Sequence, residues 1–232
     1  MAVIVFASSK GGAGKTTAAV ILASEFAYQG SKSNIDIGLI DADPNQHSAK
    51  WAIKDGVPSN IRLIMNSSEE SIIDDIEEAE KTCPIVLVDL EGTASMTVAS
   101  AISRADLVIT LCQGSQDDAD EAVKTIKLIK RQEKLLRRTI NSSVLFTRTN
   151  PAIVPRTLKH IFNEFRNSGV GMFNTNLVDR EAFRAMRSFG GSIYDLNKKE
   201  VSGIDKAIAN SQEFAREVKL KLKQCDNIQV IL

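Results

Sequence analysis

Between an apolar run, Val3-Ile4-Val5-Phe6, and a helix-forming run, Thr17-Ala18-Ala19-Val20-Ile21-Leu22-Ala23, lies Lys10-Gly11-Gly12-Ala13-Gly14-Lys15-Thr16-Thr17. Nothing else in the chain restricts its fold so strongly. A strand that runs through a glycine-rich loop straight into a helix turns successive backbone N–H groups toward one point, at dihedral angles that a residue with a Cβ seldom adopts. The helix N-terminus adds partial positive charge there. This is a cradle for phosphate. Lys15 is placed for the β- and γ-phosphates and the Thr16 hydroxyl for a Mg²⁺ ion. Gly11, Gly12, Ala13, Gly14, Lys15, Thr16 and Thr17 are therefore the expected nucleotide contacts.

Beyond the loop, short apolar runs alternate with helical patterns to the end of the chain, which predicts a mostly parallel, twisted α/β sheet with helices on both faces. Strand candidates are 2–7, 35–41, 61–65, 84–90, 106–112, 142–147 and 171–178; helix candidates are 16–29, 46–54, 69–82, 94–103, 117–138, 153–168, 179–189 and 203–223. Asp117 or Asp118 suits the N-cap of the fifth helix, Pro155 suits the first turn of the sixth, and 190–202 reads as loop with one short helical turn. The 232 residues carry no repeat or long linker and are expected to form one domain over 1–232. The first strand is expected to start almost at once, so neither a signal peptide nor an added DNA-binding domain is expected before it.

In such sheets, ligands sit beyond the carboxyl ends of the strands. The second strand candidate ends in Asp41-Ala42-Asp43-Pro44 and the fourth in Val88-Asp89-Leu90-Glu91-Gly92. Asp89, an aspartate of Walker B type, is expected to hold Mg²⁺ through a water, because Mg²⁺ keeps several of its waters. Glu91 would point to the opposite strand face, so it is expected to be a solvated or capping residue.

The common phosphate-loop pattern has Gly where this chain has Ser9, and this loop opens with an additional lysine, Lys10. That K-G-G-x-G-K-T arrangement resembles the deviant Walker A of the ParA/MinD ATPases, a branch of the P-loop NTPases. The D-x-D-P turn at Asp41–Pro44 occurs in ParA-type ATPases as well. The resemblance implies that Asp43 orients the attacking water, with Asp41 as the metal-side partner. It also implies that Lys10 reaches across a two-fold interface to the phosphates of the other subunit, making Lys10, Lys15 and Asp43 the catalytic set. Thr16, Asp41 and Asp89 would form the metal side. Thr147-Arg148-Thr149-Asn150-Pro151 follows the sixth strand where such proteins present residues to adenine, so Arg148, Asn150 and Pro151 are base-side candidates; Asn-Pro could equally just start a turn. Gln113–Asp118, Asp179-Arg180-Glu181-Ala182-Phe183 and Gly190-Gly191-Ser192 extend the resemblance over nearly the whole chain. Small partition ATPases and their relatives in conjugative T-DNA transfer are the closer likeness. The family implies ATP and Mg²⁺, an ATP-dependent homodimer, slow hydrolysis stimulated by a ParB-like or relaxosome adaptor protein, and a bacterial cytoplasmic, nucleoid-associated location.

Net charge is zero, but residues 1–115 carry 8 basic and 15 acidic side chains while 116–232 carry 21 and 14. Such asymmetry points to a polyanionic partner. Lys124, Lys127, Lys130, Arg131, Lys134, Arg137 and Arg138 recur at helical spacing, and Arg156, Lys159, Arg184 and Arg187 follow. A solvated helix face is the plain account; non-specific contact with DNA phosphates, through which partition ATPases bind DNA, is the functional one. A MinD-like membrane helix would use Phe214, Val218 and Leu222, a stripe explained as readily by packing on the sheet. No apolar run approaches the ~20 residues of a membrane span. His47 and His160 lack a partner constellation, and Cys83, Cys112 and Cys225 are expected to be incidental thiols in a reducing cytosol.

Overall fold

The computed structural model describes residues 1–223. Seven parallel strands, β1 (Ala2–Ala7), β2 (Ile37–Ala42), β3 (Ile61–Met65), β4 (Ile85–Leu90), β5 (Leu107–Cys112), β6 (Ser142–Thr149) and β7 (Leu177–Val178), form one sheet in the order β3-β2-β4-β1-β5-β6-β7. The helices are α1 (Lys15–Gly30), α2 (His47–Ala52), α3 (Ile72–Glu80), α4 (Met96–Arg104), α5 (Gln116–Leu136), α6 (Arg156–Asn167), α7 (Glu181–Phe189) and α8 (Ile204–Lys223). The chain steps outward from β1 to β2 and β3, returns to β4 beside β1, and continues on the other side with β5. The phosphate loop therefore lies at the reversal point of the sheet, where ligands of open α/β folds bind.

Alternation along the strands divides the core into two layers. Ile4, Phe6, Leu39, Leu87 and Ile109 pack toward α1, α7 and α8, whereas Val3, Val5, Ile40, Val88 and Val108 pack toward α3, α4 and α5. Phe214, Val218 and Leu222 of α8 are fully buried in the first layer, so packing accounts for that stripe. Among the described residues no helix is long and apolar enough to cross a membrane. Cys83 and Cys112 are buried and free, and burial pushes the Cys112 thiol up to about 12. Cys225 lies outside the described residues.

Three local expectations are corrected. Ser115, not Asp117 or Asp118, caps α5, its Oγ accepting from the Asp118 N–H. Pro155 is the N-cap of α6 and stands before its first turn. The seventh strand is cut to two residues and one isolated bridge, Val144–Met172. The reason is a competing acceptor: the Asn174 and Thr175 N–H groups donate to the Glu217 carboxylate of α8 at 2.7 and 2.8 Å instead of joining a ladder. The 190–202 segment holds one 3₁₀ turn, Ile193–Asp195, closed by a Ser192–Asp195 capping box.

Candidate functional site

The loop between β1 and α1 is held from three directions. Gln113 Nε2 donates to the Gly12 carbonyl at 2.8 Å, and Thr147 Oγ1 to the Ala13 carbonyl at 2.7 Å. Ser9 Oγ donates to the Glu121 carbonyl of α5 at 2.7 Å, and the Ser9 N–H to Thr125 Oγ1 at 3.1 Å. The residue that replaces the usual glycine thus fastens the loop to α5. Gly12 and Gly14 have φ of +79° and +101°, the left-handed region where a Cβ is strained. Gly92, after β4, needs glycine for closeness: a Cβ there would stand 2.6 Å from the Gly11 nitrogen.

The two loop lysines take opposite dispositions. Lys15 is buried and its Nζ reaches back to the Lys10 carbonyl at 3.4 Å. Burial lowers its pKa, opposed by Asp89, Asp43 and Glu91. Lys10 is part-exposed, lies outside the lining of the phosphate cavity, and pairs with Asp118 in the first turn of α5. That hydrogen bond raises the Lys10 pKa despite some desolvation.

Asp41 is fully buried and ties the D-x-D-P turn together, accepting from the Asp43 N–H at 3.0 Å and the Ala49 N–H at 2.8 Å. Asp43 is half-buried and its Oδ1 accepts from Asn45 N and Nδ2 at 2.8 and 2.9 Å. Asp89 is the anomaly. It is fully buried, yet among the described residues neither carboxylate oxygen has a hydrogen-bond partner. Burial, followed by the neighbouring Asp41 charge, pushes its pKa up to about 7, against Thr16, Ser48 and Lys15. Ser48 Oγ beside it is also buried without a partner among the described residues. A buried carboxylate with both oxygens free is costly by itself and matches a site completed by a hydrated cation. The residues thus fit Mg²⁺, with Thr16 and Asp89 to hold it and Asp41 behind them.

Two adjoining cavities open at this edge. One, of about 510 Å³, is lined by Gly11, Gly12, Lys15, Thr16, Asp43 and Glu91, among others; its neighbour, of about 720 Å³, reaches over Trp51, Leu177, Val178 and Phe183. Gly14, Thr17, His47, Arg148 and Arg187 line both. Glu91 therefore belongs to the phosphate cavity, against the strand-alternation expectation, because β4 ends at Leu90 and alternation stops there. Arg148 arrives through a register shift between Thr147 and Thr149 and a left-handed φ of +53°, a bulge that turns its side chain out of the strand. Asn150 and Pro151 line neither cavity; the Asn150 side chain accepts from the Ala152 and Ile153 N–H groups and closes a turn.

The basic candidates fall into separate groups. Lys124, Lys127, Lys130, Arg131 and Lys134 of α5, Arg137 after it, and Arg156 and Lys159 of α6 are all exposed. Lys124 pairs with Glu121 and Lys130 with Glu133, whereas Lys127, Arg131 and Lys134 have no ion pair among the described residues. Arg138 donates to the Ser103 and Ala105 carbonyls at 2.7 and 3.2 Å, holding the turn before β5. Arg184 pairs with Asp179 and Glu181. Arg187 is half-buried at the nucleotide edge, its Nη1 donating to Thr17 Oγ1 at 2.9 Å. Sequence spacing could not find this placement, because nothing local in α7 announces what its last turn touches.

The sequence model of the VirC1 protein family matches residues 1–228. A protein named ParA from Rhizobium radiobacter is 36% identical over 224 residues, 97% of this chain and 99% of that protein. The virC1 protein of Rhizobium rhizogenes is 25% identical over 195 residues, 82% of each chain. Among solved structures, an ATP complex of a Cyanothece McdA variant superposes with a TM-score of 0.76 over 100% of this chain and 99% of that one, at 16% identity, a likeness of fold. Deviant phosphate loop, D-x-D-P turn, isolated Asp89 and whole-length match agree, and the chain belongs to the VirC1 protein family of ParA/MinD-type P-loop ATPases.

Proposed function

We propose that this ATPase is a Mg²⁺-dependent dimerisation switch: two copies close around ATP, the closed form binds DNA without sequence preference, and slow hydrolysis reopens it. A DNA cargo, in plasmid or chromosome partition or in T-DNA transfer, is positioned or segregated by that cycle. The observation that carries the reading is the split between the loop lysines. Lys15 is buried in its own cradle, while Lys10 stands part-exposed outside the cavity on Asp118. A lysine held there is available to a second subunit in a way that Lys15 is not.

When bound, Mg²⁺ supplies neutralisation of charge on the β- and γ-phosphates. The chain's own residues do the rest. Backbone N–H groups of residues 11–16 and the Lys15 ammonium hold the phosphates. Asp43 orients the attacking water, and Lys10 of the opposite copy stabilises charge on the transferred group, as an arginine finger does elsewhere. DNA phosphates meet Lys127, Arg131 and Lys134 of α5, with Lys124, Lys130, Arg137, Arg156 and Lys159 beside them. Ser9 and Asp118 link the loop to this same helix, so nucleotide state and the basic face share one element. A ParB-like or relaxosome adaptor protein stimulates turnover, and the protein works in the bacterial cytoplasm on the nucleoid.

A mobility-shift series across salt, with and without ATP, tests the reading. ATP should strengthen DNA binding sharply, since a dimer doubles the contacts. Replacing Lys127, Lys130, Arg131 and Lys134 together by Ala should weaken binding to all sequences alike and flatten the slope of log affinity against log salt by about 0.9 per lost contact. Wild-type protein that ignores DNA at low salt with ATP present would sink the proposal.

A further inference from the structure

We propose that Arg187 is a phosphate ligand of the nucleotide site, contributed by the last turn of α7 from outside the phosphate loop. The inference rests on the reading of cavity and loop as a nucleotide site and extends it to a residue that no loop motif includes. Its starting point is geometric. Arg187 Nη1 donates to Thr17 Oγ1 at 2.9 Å, and Thr17 lies in the first turn of α1, the turn whose N–H groups converge on an anion. The side chain lines both cavities, at the place where they join.

Its donors are unfilled. A guanidinium carries five N–H donors, and among the described residues Arg187 makes this one hydrogen bond and no ion pair. Desolvation, and the Arg148 guanidinium facing it, lower its pKa, while Asp89 works the other way. Arg180, at the start of the same helix, has a buried Nε without a partner among the described residues and also lines the larger cavity. A half-buried guanidinium with most of its donors unfilled is unfavourable in the free protein unless an anion joins it. The groups around this point, Lys15, Arg148 and Arg187, can take an anion with several oxygens, such as the phosphates of a nucleotide.

Arg187 is also held in place. Lys54 Nζ, after α2, donates to the Arg187 and Ser188 carbonyls at 2.9 and 2.7 Å, and Trp51 Nε1 donates to the Gly191 carbonyl at 3.2 Å. Trp51 of α2 and Lys54 just after it therefore fix the tip of α7, and the guanidinium reaches the cavity without needing the ligand to order it.

The test is calorimetric titration of the full chain with ADP, paired with thermal denaturation. Arg187→Gln should weaken ADP binding by about tenfold or more, the range for a lost charge-assisted hydrogen bond. Arg187→Lys should recover part of that, since it keeps the charge and loses the planar fork. The melting temperature without ligand should hold or rise in Arg187→Gln, while the shift produced by saturating ADP shrinks. An equal fall in melting temperature with and without ADP would make Arg187 a strut and overturn the proposal. So would unchanged ADP affinity with weakened duplex-DNA binding. Lys15→Ala is the control that separates the two ideas: if it too binds ADP normally, the nucleotide-site reading fails; if only Arg187→Gln binds normally, the Arg187 assignment alone fails.

Discussion

On one side of the phosphate cavity, residues 9–17 form a wall whose constraints are nearly all local: left-handed glycines, a helix N-terminus, one lysine folded back over its own loop. On the other side, Arg148, Glu91 and Arg187 come from a bulge in β6, the loop after β4 and the end of α7. The first wall is shaped by backbone geometry, which spacing encodes. The second is built of side chains that meet only because the sheet brings a strand bulge, a loop and a helix end to one edge. A site can thus be half motif and half tertiary placement, and the two halves should fail differently when disturbed.

The largest effect is expected on the local wall. Lys15→Ala should abolish nucleotide binding, a loss of about 3–5 kcal/mol by analogy with stranding a buried charge. Nucleotide titration decides it, and near-native affinity would mean that the placed wall dominates.

The next prediction concerns the floor between the walls. The Asp89 carboxyl has a folded pKa raised to about 7. Between its unfolded value and 7 the folded state binds the extra proton, so the metal-free protein should lose stability as pH rises through that window. The penalty above pH 7 is on the order of 4 kcal/mol, at about 1.4 kcal/mol per pKa unit. Asp89→Asn in EDTA should therefore be more stable than wild type at pH 8 and show a flatter pH profile between 4 and 7. Urea denaturation across pH measures this; identical profiles would show that Asp89 carries no such penalty.

The smallest expected effect is at the seam. Gly92→Ala would set a Cβ 2.6 Å from the Gly11 nitrogen, so the loop after β4 must withdraw from the phosphate loop. A stability cost of about 1–3 kcal/mol is expected, as for overpacking, with weakened ADP affinity. If stability falls and affinity does not, the two walls are less coupled than their contact implies.

Much of the fold was legible because strands such as Ile85-Val86-Leu87-Val88 are buried on both faces and read as apolar runs, and because helices such as α5 carry their period in sequence. The seventh strand was not, since its pairing is diverted by Glu217, 42 residues from Thr175. The N-cap of α5 is expected at Asp117 or Asp118, and backbone geometry puts it at Ser115 instead. Within the site, Lys15, Thr16 and Asp89 are read from motif order and Asp41 from the family resemblance, and the fold sets them at one edge of the sheet. Glu91 reaches the cavity because strand alternation ends with β4 at Leu90.

The sequence by itself determined the phosphate loop, the parallel α/β architecture and the family, because dihedral freedom, burial and helix dipoles act over a few adjacent residues. Tertiary structure alone decided that Lys10 rests on Asp118, that Arg138 braces carbonyls before β5, and that Arg187 meets Thr17 170 residues away. Charge and hydrogen bonding act through space. A basic residue's role therefore depends on what the fold sets beside it, and local spacing carries no record of that neighbour.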